Sequence, residues 1–110
     1  MTKVLVTKKD GHIVSVWASG HTGFAVEGED IVCAALSSVM QTALLGILSV
    51  AKVPVKFKRD ESQGHLEFDL PPLNKQERHD CSIILDTMLA GITDLSDNFS
   101  KFIHLKIKNS

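Results

Sequence analysis

A histidine and a cysteine twelve positions apart, His21 and Cys33, are the residues of this sequence best suited to covalent chemistry. Cys33 stands near the start of a long apolar-periodic segment. Asp30, three residues earlier, is a good helix N-cap because its carboxylate can accept the first free backbone N–H groups. A thiol in the first turn of a helix meets the partial positive charge of the terminus, which favours the nucleophilic thiolate. His21 is joined to that turn by a segment with glycines at 23 and 28, and Gly20 precedes it. Such a segment can fold back toward the sulfur. An imidazole there can take the thiol proton and return it to a leaving amine. The backbone N–H groups of Cys33 and Ala34 are then the expected oxyanion donors. Two features oppose this reading. Glu27, Glu29 and Asp30 crowd negative charge near the sulfur and would raise its pKa. No Asp or Asn is assignable as a third member orienting His21, so the site is better described as a dyad. A cysteine near a helix start is also often a small buried hydrophobe, and spacing alone leaves both readings open.

The elements that must position this pair follow from periodicity. Lys3 to Thr7 and Ile13 to Ala18 read as strands joined through Asp10-Gly11, a strong hairpin signal. The helix that begins after Asp30 should end near Lys52, because Pro54 disfavours helical geometry at Val53. Val55 to Lys58 and His65 to Leu70 read as a second hairpin. Asn74 with Glu77 predicts a capping box for a second helix running to about Leu95. Phe102 to Lys108 alternates as a final strand, with Ile103, Leu105 and Ile107 on one face. The expected fold is α+β, a mostly antiparallel sheet carrying two helices in the order ββαββαβ.

Composition bounds the function. The chain has 110 residues, 44% hydrophobic, with 12 Lys and Arg against 13 Asp and Glu for a net charge of -1. That fits one domain with its own core. The near-neutral balance argues against strong nucleic-acid binding. Two cysteines, Cys33 and Cys81, are too few for a disulfide framework or a cysteine-based zinc site, and no spacing suggests a metal. No cofactor is expected. The N-terminus lacks an apolar stretch long enough for a signal peptide, which makes a cytoplasmic chain with reduced thiols the expectation. Ile31 to Ala51 carries no charge and is long enough to span a membrane. Ser37, Ser38, Gln41, Thr42 and Ser49 gather on one side of it, however, the pattern of a helix buried against a sheet or a second subunit. Its wide apolar side predicts a homodimer. Cys81 reads as a core residue of the second helix, and His12, His65 and His104 as solvated. Lys52, Lys56, Lys58 and Arg59 read as a solvated hairpin face, with a weak ribosome or RNA contact as the sharper alternative.

Gly20-His21, the spaced Gly23 and Gly28, and the run Asp30-Ile31-Val32-Cys33-Ala34-Ala35 followed by Ser37 resemble the signature of the ribosomal-processing cysteine protease family, Prp. The resemblance covers essentially the whole chain and implies a single cysteine-protease domain over residues 1–110. It implies a small, homodimeric, cytoplasmic bacterial endopeptidase with Cys33 as nucleophile and His21 as its base. Asp30, Ser37, Gly20, Gly23 and Gly28 match accompanying positions of the motif, implied to support substrate binding. The implied substrate is the precursor of the large-subunit ribosomal protein numbered twenty-seven. A short N-terminal extension would be removed after a pair of aromatic residues. The rival reading is a non-catalytic, ribosome-associated module that holds a peptide or RNA.

Overall fold

A computed structural model describes residues 1–20, 29–60 and 64–110. Strands β1 (Thr2–Lys9) and β2 (His12–Ser19) form an antiparallel hairpin. Its two-residue turn places Asp10 at φ 53° and Gly11 at φ 79°. Positive φ at both positions matches the right-handed twist of the strands, which is why Asp-Gly works there. Helix α1 (Glu29–Ser49) follows. It closes where the N–H groups of Ala51 and Val53 turn back onto the carbonyls of Gly46 and Ile47, around Lys52 at φ 57°. The regular helix therefore stops three residues before the expected Lys52, which serves the reversal instead. Strands β3 (Lys56–Asp60) and β4 (His65–Asp69) form the second hairpin.

Helix α2 (Lys75–Asn98) begins with the expected capping box. Asn74 Oδ1 accepts from the Glu77 N–H at 2.8 Å, and Glu77 Oε1 accepts from the Asn74 N–H at 2.9 Å. It runs three residues past Leu95. Strand β5 (Ile103–Asn109) completes a five-stranded sheet in the order β3-β4-β2-β1-β5. Three pairings are antiparallel, and β5 runs parallel to β1, so the sheet is mixed.

Both helices cover one face of this sheet. Val4, Val6, Val16, Ala18, Leu66, Phe68 and Ile103 supply the strand side of the core. Val32, Leu36, Met40, Ala43, Leu44 and Ile47 of α1, with Cys81, Leu85, Met88 and Ile92 of α2, supply the other. The segment Ile31–Ser49 is long and apolar enough to cross a membrane, and six of its apolar side chains, from Val32 to Ile47, pack into this core. The helices pack where small residues allow close approach: Gly46 faces Ile84 and Gly91 faces Val39.

Cys81 is 1% exposed, in keeping with its reading as a core residue of the second helix. Its thiol pKa is raised, first by burial and then by Asp80 and Glu77, with Arg78 opposing. Folding therefore holds this proton more tightly than the unfolded chain does. The stabilisation is complete below the ordinary thiol value of 9.0 and is lost as pH rises above it. Chemical denaturation between pH 8 and 10 should show stability falling more steeply for wild type than for Cys81→Ala. His12 corrects the expectation of a solvated histidine, since its Nδ1 lies 2.9 Å from Ser82 Oγ on α2. His104 is exposed, as expected.

Candidate active site

The start of α1 lies at the sheet end where β1 begins, β2 finishes and β4 begins. The pairings Lys3 to Ser19, Ala18 to Leu66 and Asp60 to His65 bring those termini together. A cavity of about 310 Å³ opens there, between α1 and the β3–β4 hairpin. Cys33, Ser37 and Gln41 line it from the helix, spaced four residues apart so that all three project from one side. Arg59, Asp60, Gly64 and His65 line the hairpin side, and Ala18, Leu36, Met40 and Leu66 give it an apolar floor.

The cysteine is half-buried and free, in contrast to the buried Cys81. Its Sγ lies 3.4 Å from Thr2 Oγ1. Thr2 is the one buried polar side chain among the described residues, and its N–H donates to the Phe102 carbonyl at 2.8 Å. The hydroxyl is thus fixed by the first strand and can donate to the sulfur in its anionic form. Hydrogen bonds to charged groups are worth about 1.5–3 kcal/mol. Thr2→Val should slow thiol alkylation and peptide cleavage by roughly tenfold or more, about 1.4 kcal/mol per decade, while Thr2→Ser keeps most of the rate. Further along α1, Gln41 Nε2 donates to Ser37 Oγ at 2.6 Å, which orients that hydroxyl in the cavity wall.

Gly20 is the last described residue before His21. It adopts φ 133°, and a Cβ there would overlap the Met1 carbonyl oxygen and come within 3.0 Å of Thr2 Cα. Only glycine permits this approach. It sets the residue before His21 against the backbone of Thr2, the residue that touches the Cys33 sulfur.

Of the residues singled out in the sequence, Cys33 and Ser37 share the cavity and Gly20 abuts the backbone of Thr2, which also lines it. His21, Gly23 and Gly28 lie outside the described residues. Asp30 is a correction as an N-cap, because the helix begins one residue earlier, at Glu29. The same boundary corrects the oxyanion donors. Cys33 and Ala34 are the fifth and sixth residues of α1, where N–H groups bond within the helix, past the unpaired ones of its first turn.

Thr2, Gln41 and His65 were not identified from sequence. Gln41 continues the four-residue spacing of Cys33 and Ser37 and was legible in principle. Thr2 and His65 reach the cavity only through strand register. His65, expected as a solvated turn residue, packs edge-on against Trp17 with ring centroids 5.8 Å apart and holds its Nε2 3.4 Å from Glu67 Oε1. The basic cluster also divides: Arg59 lines the cavity, whereas Lys56 and Lys58 project from the opposite side of the edge strand. No group of His, Cys, Asp and Glu among the described residues could hold a metal ion.

Comparison with known proteins gives concordant results. The family model described as Cysteine protease Prp matches residues 1–104. The ribosomal processing cysteine protease Prp of Staphylococcus aureus is 25% identical over 108 residues, covering 98% of this chain and 99% of that protein. Among solved structures, SMU.848 from Streptococcus mutans superposes with a TM-score of 0.89 at 28% identity, over 100% of this chain and 96% of that one. The S. aureus ribosomal processing protease Prp in complex with a substrate peptide superposes with a TM-score of 0.87 at 25% identity, over 98% of this chain and all of that one.

Proposed function

The chain belongs to the cysteine protease Prp family and is a cysteine protease, and from that premise we propose that it processes a ribosomal protein through a Cys33/His21 dyad. The substrate on this reading is the precursor of the large-subunit ribosomal protein numbered twenty-seven, cut after an aromatic pair in its N-terminal extension. The observation that carries the proposal is the placement of Cys33, a half-buried thiol on the wall of an apolar-floored cavity wide enough for an aromatic side chain. A binding module has no use for a thiol there.

In the proposed reaction His21 takes the Cys33 proton as Sγ attacks the scissile carbonyl carbon. The carbon–nitrogen bond breaks, His21 gives its proton to the leaving amine, and a thioester remains. Water then attacks the thioester, His21 taking a proton from it. The new carboxylate leaves, and the returned proton restores the thiol. Ser37 and Gln41 offer hydrogen bonds to the peptide along the cavity wall. Asp30, Gly20, Gly23 and Gly28 complete the proposed binding region at the helix start and in the residues that precede it.

Incubating the full chain with that precursor tests this directly. The expected product is the shortened protein and its free extension, seen by mass spectrometry. Precursor that binds but stays intact would favour a binding module instead, and cleavage retained by His21→Ala would remove the dyad.

The reading includes a cytoplasmic homodimer. Ile31, Ser38 and Leu45 share one face of α1 at seven-residue spacing, with Ile31 76% and Leu45 60% exposed. A second copy would cover these side chains. Leu45→Glu should then shift the chain toward monomer in sedimentation experiments, whereas the same change at Thr87 on α2 should not.

A further inference from the structure

The near-neutral net charge conceals a separation of charge between the two layers. The five strands carry eight basic and three acidic residues, whereas the two helices carry two basic and seven acidic ones. Because both helices cover the same side, no element among the described residues covers the second face of the sheet. Alternation sends Lys3, Lys56, Lys58, Lys106 and Lys108 to that open face, opposite the buried Val4, Phe68 and Ile103. One row across the sheet reads Lys58, Glu67, Trp17, Leu5, Lys106 in register. Glu67 shares this face with Asp60 and Asp69 and lies 3.9 Å from Lys58 and 3.4 Å from His65, whereas Lys3, Lys106 and Lys108 stand in register beside Ser19, His104, Leu5 and Thr7. Trp17 thus lies mid-sheet, braced edge-on by His65, with lysines on both flanks.

We propose that this open face binds single-stranded RNA, one base stacking on Trp17 while Lys3, Lys106 and Lys108 meet the backbone phosphates. A sheet surface with a central aromatic residue and flanking lysines supplies both terms that unpaired RNA requires: stacking and phosphate neutralisation. The face meets the cavity only at Asp60 and His65, and Trp17, Lys3, Lys106 and Lys108 do not line it, so the inference stands whether or not the proposed substrate is correct.

The chain itself supplies the probe, since Trp17 is its one tryptophan and it has no tyrosine. Titration with an oligouridine strand at low salt should quench Trp17 emission. With three phosphates neutralised, each doubling of salt should weaken binding roughly fourfold, at about 0.7 in logarithmic slope per phosphate. The double variant Lys106→Gln, Lys108→Gln should lower that slope by about 1.4 and leave peptide cleavage unchanged. Polyglutamate, an anion without bases, should leave the emission unaltered. The proposal is overturned by absent quenching, by equal quenching with polyglutamate, or by an unchanged slope in the lysine variant. It is equally overturned if the emission follows protein concentration and not RNA, which would assign the face to a second copy of the chain.

Discussion

Cys33→Ala is expected to lower cleavage of the ribosomal precursor by at least about a thousandfold, because losing a nucleophile removes the covalent pathway itself. Cys81→Ala should keep the wild-type rate. The two thiols differ in exposure and in surroundings. Cys33 lines a cavity and touches the Thr2 hydroxyl at 3.4 Å. Cys81 is 1% exposed, deep between α2 and the sheet, with its pKa raised by burial and two neighbouring carboxylates. Both variants should retain their helix content, so circular dichroism separates a lost nucleophile from a lost fold. A cleaving Cys33→Ala protein would end the covalent mechanism.

Gly20→Ala is the second large effect expected. Its φ of 133° is a region that L-residues rarely adopt, and the added Cβ would collide with the Met1 carbonyl oxygen. Backbone on both sides leaves no flexible side chain to give way. The cost should be at least about 3 kcal/mol from strain and overlap together, read as a lower denaturant midpoint. Gly11→Ala makes the control. Gly11 also has positive φ, at 79°, but nothing lies within 4 Å of its missing Cβ. Strain alone should then cost only about 1–2 kcal/mol. Activity should fall further for Gly20→Ala than stability alone explains, since displacing Met1 and Thr2 moves the hydroxyl away from Cys33. Equal destabilisation at the two glycines would show that the close approach contributes nothing.

Local signals explain which parts of this molecule were legible in advance. Asp10-Gly11 encodes its own turn through positive φ, and Asn74 with Glu77 encodes a helix start through two reciprocal hydrogen bonds. The apolar side of α1 was readable because burial recurs with the helical period. Strand pairing is a different matter. The alternation of Ile103, Leu105 and Ile107 showed a strand with one apolar face, but nothing in it states that β5 runs parallel to β1. The same gap hid Thr2 and His65, whose approach to the cavity depends on which residues stand opposite one another. It also hid the division of Arg59 from Lys56 and Lys58, adjacent in sequence and on opposite sides of the sheet. Asp30 was displaced as a cap by a two-residue boundary shift, the helix starting at Glu29 and not at Ile31, which was enough to draw the N–H groups of Cys33 and Ala34 into the helix.

Cys33 as the working nucleophile is the claim on which the rest depends, and limiting alkylation tests it most directly. The wild-type chain, treated briefly with iodoacetamide and mapped by mass spectrometry, should carry the label on Cys33 with Cys81 spared. A peptide bearing the aromatic pair should protect Cys33 from the reagent. Slow and equal labelling of both thiols, or labelling of Cys33 that the peptide leaves untouched, would contradict the account.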